Sequence, residues 1–183
     1  MPFYAQAVDY LKTHEISLQN KEEKPMTHAH GSGCPGSKAL AFNKQETATE
    51  TLAGSRPSQL SHWPIQMHLI SPMAPFFQGT DLLLAADCVP FSMGDFHKDY
   101  LKGKTLAIAC PKLDENQEIY LEKLKALIDQ AKINTLTVMI MQVPCCGGLL
   151  QLAQRAVEEA SRKVPVKAIV VGLQGGILQE GWV

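Results

Sequence analysis

Five cysteines (Cys34, Cys88, Cys110, Cys145 and Cys146) and two histidines of a His-Ala-His tract (His28 and His30) are the side chains here that could do unusual chemistry. Thiolates in fours ligate iron–sulfur clusters, and four cysteine or histidine ligands make a tetrahedral zinc site. A thiol at a helix start can also work without metal, as a nucleophile or as half of a dithiol. An odd cysteine count in 183 residues argues against a disulfide framework. Each cysteine neighbourhood carries a proline: "CPG" at 34, "CVP" at 88, "CPK" at 110 and "VPCC" at 145–146. Proline turns the chain and brings no N–H of its own. A single cysteine at a strand end is usually core filler. Four loops with one cysteine–proline habit point instead to a shared site. His14, His62, His68 and His97 stand alone and read as surface or core residues.

The stretch "THAHGSGCPGSKAL" (27–40) also has the glycine spacing of a phosphate loop. That motif requires G-x-x-x-x-G-K-[ST] directly after a strand, but here Ser37 precedes Lys38 and the preceding "LQNKEEKPMTHAH" is charged. Nucleotide binding at this loop is disfavoured. "VGLQGG" (171–176) likewise lacks the spacing of a dinucleotide-binding turn.

The elements that must position these residues follow from hydrophobic patterning. "IQMHLI" (65–70), "DLLLAAD" (81–87), "KTLAIAC" (104–110), "NTLTVMIMQV" (134–143) and "VKAIVVG" (166–172) are continuous apolar runs, as expected of strands buried on both faces. Between them, residues 114–132 carry Leu121, Leu124, Ile128 and Ala131 on one helical face, with Asp114 and Gln117 spaced as a capping box. Residues 147–163 align Leu149, Leu150, Ala153, Val157 and Ala160 in the same way, and 91–103 suggests a brief helix. The pattern predicts a single α/β domain over 1–183: an open, mostly parallel sheet of about five strands with helices on both faces. Its α/β core spans 63–183. Before it come an N-terminal helix (3–13), an irregular arm bearing His28, His30 and Cys34 within 1–40, and a polar loop (43–62).

This order sets Cys88, Cys110 and the Cys145/Cys146 pair after three strands, at the carboxyl edge where sites form in open α/β sheets. "CCGG" then opens a helix, whose free N–H groups favour negative charge. Asp87, Asp95, His97, Lys112 and Asp114 are expected in the loops of that edge. Adjacent Cys145 and Cys146 cannot easily both face inward, and Cys145 is the favoured ligand.

Apolar residues make up 45% of the chain and the formal charge is −1, so neither a nucleic-acid nor an anionic-membrane surface is expected. No apolar run is long enough to span a bilayer and no signal peptide is evident, which suggests a cytoplasmic protein.

The motifs "HAHGSGCPGS", "LSHWPIQMHLISPMAPFFQGTDLLLAADCVPF", "GDFH", "GKTLAIACPKLD" and "VPCCGGL", in this order over about 26–178, resemble the C-terminal cysteine-rich module of proteins from anaerobes labelled 4Fe–4S ferredoxin or iron–sulfur binding proteins. The ferredoxin half has no counterpart here, since no C-x₂-C-x₂-C-x₃-C-P run occurs. The chain therefore reads as a standalone version or a shortened one. The resemblance carries over only the cysteine set of the module; four thiolates match the ligand count of a cubane, so the expectation is that Cys34, Cys88, Cys110 and Cys145 hold a [4Fe–4S] cluster, with Cys146, His28 or His30 as substitutes. The expected role is electron transfer with a redox partner protein or ferredoxin domain, or redox sensing, rather than turnover as an enzyme. The alternatives are a zinc site, or metal-free thiol chemistry at Cys145 and Cys146.

Overall fold

The computed structural model describes residues 39–42 and 56–183, all within one compact unit, Gly33–Val183. The expected N-terminal helix, the arm with His28, His30 and Cys34, and residues 43–55 of the polar loop lie outside the described residues.

Two short strands, β1 (Leu40–Ala41) and β2 (His62–Trp63), pair antiparallel. The main sheet has β3 (Asp81–Ala86), β4 (Thr105–Ala109), β5 (Thr135–Met141), β6 (Val166–Val171) and β7 (Ile177–Trp182), in the order β4-β3-β5-β6-β7. The first four are parallel, and β7 joins antiparallel. Unbroken apolar runs are what a strand covered on both sides requires, and Leu82, Leu83, Leu84 and Ala85 of β3 are fully buried. The connections are the short α1 (Val89–Ser92) with a π-turn at His97–Leu101, then α2 (Gln117–Asp129), then α3 (Gly147–Glu159). The chain steps from β3 outward to β4, then returns across β3 to β5. With right-handed crossovers, this reversal puts α1 on one face and α2 with α3 on the other. In agreement, α1 touches β3 and β5 while α2 packs on α3. The stripe expected on α2 is buried at Leu121, Leu124 and Ile128, joined by Tyr120 and Leu127.

Three expectations need correction. "IQMHLI" is not a strand of the sheet. Gln66 makes one parallel bridge to Ile108, and the chain then turns, with Leu69 and Ile70 N–H groups donating to the Gln66 carbonyl. The fifth strand is β7, whose Gly181 and exposed side chains hide it from a hydrophobic pattern. Asp114 and Gln117 form no capping box: the helix starts after Asn116, which has a left-handed φ of 54° and no side-chain cap.

The segment His62–Met67 seals the outer edge of β4. Ile108 N–H donates to the Ile65 carbonyl (2.8 Å), Met67 N–H to the Ile108 carbonyl (3.0 Å), and Leu106 N–H to His62 Nε2 (3.0 Å). An imidazole thus substitutes for a strand carbonyl. His62 is therefore core, fully buried, and stacked on Phe76 at 4.3 Å.

Candidate functional site

The winding reverses between β3 and β5, and the carboxyl end of such a reversal is where open α/β sheets build sites. Two cysteine loops flank it. Cys88 follows β3 and begins α1; Cys145 and Cys146 form a 3₁₀ turn with Pro144 and lead directly into α3. Cys110 follows the neighbouring strand β4. Its loop closes on the third one, because a Cβ on Gly148 would stand 3.5 Å from Pro111 Cβ. The three loops expected to deliver thiols to one edge do so.

Their environments differ. Cys88 and Cys145 are exposed, Cys110 is half-buried and Cys146 is buried. Burial pushes the Cys146 thiol up, partly countered by a hydrogen bond to the Met141 backbone, and the Cys145 and Cys88 sulfurs raise it further. Cys146 is therefore influenced by sulfurs of two loops, its own and that of Cys88. Cys34, His28 and His30 lie outside the described residues. Among the described residues, no group of three histidine, cysteine, aspartate or glutamate side chains is arranged to hold a single metal ion.

A polar network surrounds Cys110. Asp114 Oδ2 accepts from Cys110 N–H (2.8 Å), Tyr120 O–H (2.7 Å) and Gln66 Nε2 (3.2 Å). Burial opposes ionisation of Asp114, but these three donors, with the nearby His68, hold its carboxyl below the usual range. Tyr120 is pushed well above its ordinary value by burial and then by Asp114. Asp87, beside Cys88, is raised by burial and by the charge of Asp114, and its Oδ1 is buried without a hydrogen-bond partner. Gln117 Nε2 donates to the Pro111 carbonyl at 2.5 Å, tying α2 to the same loop. Gln66 and Tyr120 were not singled out by sequence. Tyr120 carried only a helical-face signal and Gln66 none.

Asp95 and His97 do not join this edge. They hold the start of the sealing segment: Asp95 pairs with Arg56, and His97 Nδ1 accepts Gln59 N–H at 3.1 Å. Asp87, Lys112 and Asp114 remain on the carboxyl-edge loops.

Chemically, the edge offers thiols of graded exposure beside a helix start, with an anchored carboxylate next to one of them. No helix among the described residues is long and apolar enough to cross a membrane.

Comparison with known proteins agrees with the fold. The chain is 28% identical over 119 residues to an uncharacterized protein of Archaeoglobus fulgidus, covering 65% of this chain and 83% of that protein. No solved structure matches. Residues 74–182, which hold the whole parallel sheet, β7 and the loops carrying Cys88, Cys110, Cys145 and Cys146, match the Rossmann-like domain. The chain belongs to the Rossmann-like domain family.

Proposed function

We propose that this protein binds a [4Fe–4S] cluster at the carboxyl edge of its sheet, ligated by Cys88, Cys110, Cys145 and Cys34. It serves electron transfer with a redox partner protein or ferredoxin domain, or redox sensing. The observation that carries this reading is the convergence of three thiol-bearing loops on the winding reversal. A donor set of cysteines without carboxylates suits iron–sulfur chemistry, which would supply one-electron transfer. Cys145 is preferred over Cys146 because it is exposed, whereas Cys146 is buried and burial pushes its thiol up.

Cys34 lies outside the described residues; His28 or His30 in its place would change the potential of the cluster.

The side chains' own work is to shield and to fix. Buried Val89 follows Cys88 at the start of α1, and Asp114 holds the Cys110 loop. Zinc at the same thiols is the alternative metal. A metal-free dithiol reading draws on the adjacency of Cys145 and Cys146 in one turn, where Cys145 raises the Cys146 thiol.

The test is iron and acid-labile sulfide content with a visible spectrum, on protein purified and reconstituted without oxygen. About four iron and four sulfide per chain with a broad band near 400 nm are expected, and Cys34→Ser should lose most of them. Zinc without sulfide would replace this reading with the zinc site. No metal, with Cys145 and Cys146 oxidising as a pair, would replace it with the dithiol.

A further inference from the structure

Independently of the cluster reading, we infer that the outer edge of β7 is a self-association surface. A second copy of this chain adds its own β7 there, antiparallel across a two-fold axis, and the two five-stranded sheets become one. The sheet runs β4-β3-β5-β6-β7, so β4 and β7 are its outer strands. The β4 side is closed by the His62–Met67 segment. The β7 side has no such cover among the described residues. Both faces of β7 are open as well: Ile177, Leu178, Gln179, Glu180 and Trp182 are all exposed.

Pairing register decides which backbone groups are free. Along β6, Lys167 stands opposite Trp182, Ala168 opposite Gly181 and Ile169 opposite Glu180. Val183 N–H donates to the Val166 carbonyl at 2.9 Å. Hydrogen-bonded and non-bonded pairs alternate along an antiparallel ladder, so Gly181 also faces β6, while Glu180 and Trp182 turn their N–H and C=O groups outward. Such a row templates another strand unless lysine, proline or a bulge blunts it. No lysine or proline occurs from Ile177 to Trp182, and the irregular pairing, at Val170/Val171, falls beside the start of β7 only.

A strand added by a two-fold axis perpendicular to the sheet is antiparallel by symmetry, and charge selects its register. An axis through Glu180 would set two carboxylates opposite each other, which is unfavourable. An axis through Gly181 sets Glu180 opposite the partner's Trp182, and the reverse, so the outward N–H and C=O groups of both residues are satisfied in each copy. Lys167 lies over the Trp182 ring, 5.8 Å from its centre, and pairs with Glu180 of its own chain. The partner's Glu180 arrives on the far flank of the same tryptophan, so cation, ring and carboxylate alternate across the junction. At the axis the backbones meet without a steric block, since nothing stands within 4 Å of a Cβ built on Gly181. Area sets the strength. Trp182 is 64% exposed, which leaves on the order of 100–150 Å² to cover. So short a ladder falls below the roughly 800 Å² that each partner buries in a tight dimer, and the pair is a reversible one that dissociates in the micromolar range.

The experiment is sedimentation of the full chain from about 5 to about 500 μM, a span that brackets micromolar association. Reductant and chelator are present, so that no disulfide- or metal-bridged pair contributes. Amide exchange is read by NMR at both ends of the range. The mass should rise from one chain toward two. The Glu180 and Trp182 amides should slow as it does, while Gly181 and Val183, which face β6, stay slow throughout. Glu180→Pro removes an outward N–H at an edge position, where proline leaves the β6 pairing intact. It should weaken association about tenfold or more with an unchanged far-UV circular dichroism spectrum. Should that variant unfold, Trp182→Lys puts a charge on the same edge and should have the same effect. Glu180→Gln keeps the backbone donor and should still dimerise.

A chain that stays monomeric across the whole range overturns the inference, whether its edge is then bare or covered by another part of the chain. A dimer that forms without slowing the Glu180 and Trp182 amides, or that survives the edge variants, uses another surface and overturns it equally. Loss of the dimer in Glu180→Gln to the same extent as in Glu180→Pro would assign the contact to the side chain and overturn the strand pairing.

Discussion

Acid should destabilise this protein through one histidine before its carboxylates titrate. His62 is fully buried, and its Nε2 accepts Leu106 N–H at 3.0 Å, so the neutral ring carries its proton on Nδ1. That Nδ1 is buried without a well-formed hydrogen bond. Burial lowers the pKa of His62 from 6.5 to about 4, with a small opposing contribution from the Pro64 carbonyl. A proton added to Nε2 would also set a donor against the Leu106 N–H. The folded pKa is depressed, so in the window between the two values the unfolded chain binds more protons. Stability from this group is complete above pH 6.5 and is lost as pH falls toward 4. That lowering corresponds to roughly 3 kcal/mol in full, of which about 2.5 kcal/mol is lost by pH 4.5. For a domain of ordinary stability this is a large fraction. Asp114 and Asp129 are held below the usual carboxylate range, so their losses come at lower pH. Asp87 is raised and acts in the opposite sense, which an Asp87→Asn background removes. The assay is urea unfolding followed by tryptophan fluorescence at pH 7.0, 5.5 and 4.5, for that background with and without His62→Phe. The histidine variant should be less stable at pH 7, and its deficit should shrink by about 2.5 kcal/mol at pH 4.5. Parallel pH profiles for the two proteins, or a His62 ring resonance titrating near 6.5, would refute the argument.

Other consequences are simpler to check. Leu84→Ala hollows out a fully buried position in β3 and should cost about 2–5 kcal/mol in denaturant unfolding. Gly175 has φ +84° in the turn before β7, and a Cβ there would lie 2.2 Å from the Ser92 carbonyl oxygen; Gly175→Ala should cost at least about 2 kcal/mol, read as a lower Tm. Iodoacetamide at pH 7 on metal-free native protein should label Cys88 and Cys145 before Cys146, as mapped by peptide mass. Equal rates at Cys145 and Cys146 would contradict the buried, raised thiol.

The parallel core was legible because strands buried on both faces must be apolar throughout, as β3, β4, β5 and β6 are. The same reasoning made the site edge legible, since a parallel sheet delivers every strand's exit to one side. It failed at Gln66, where the apolar run 65–70 is buried by covering an edge rather than by joining the ladder. Burial alone does not distinguish those two fates. It failed at β7 for the opposite reason: Ile177–Trp182 is exposed almost throughout and is held by antiparallel pairing to β6. The capping-box spacing at Asp114 was real but was outcompeted. Its carboxylate found Cys110 N–H, Tyr120 and Gln66, and the last of these comes from 48 residues earlier in the chain. Local spacing cannot reveal such a partner.

The segment that seals β4 therefore has two roles that share one set of contacts. A bare outer strand would present unpaired N–H and C=O groups, and His62, Ile65 and Met67 satisfy those of Leu106 and Ile108. In the same few residues, Gln66 turns its amide to Asp114 and its Oε1 accepts His68 N–H at 2.8 Å. Whatever loosens the seal also removes a donor from the carboxylate that grips Cys110. The buried His62 ring is consequently not an isolated stability element. Its neutral form keeps the edge closed, the closed edge keeps Gln66 in place, and Gln66 helps fix the geometry of one thiol at the carboxyl end of the sheet. The opposite side of that end has no equivalent brace among the described residues, and its cysteines, Cys88 and Cys145, are the exposed ones. A site with one fixed thiol and two accessible ones can accept a thiol-bound group from solvent without rebuilding its frame, because the order is already built into the Cys110 loop.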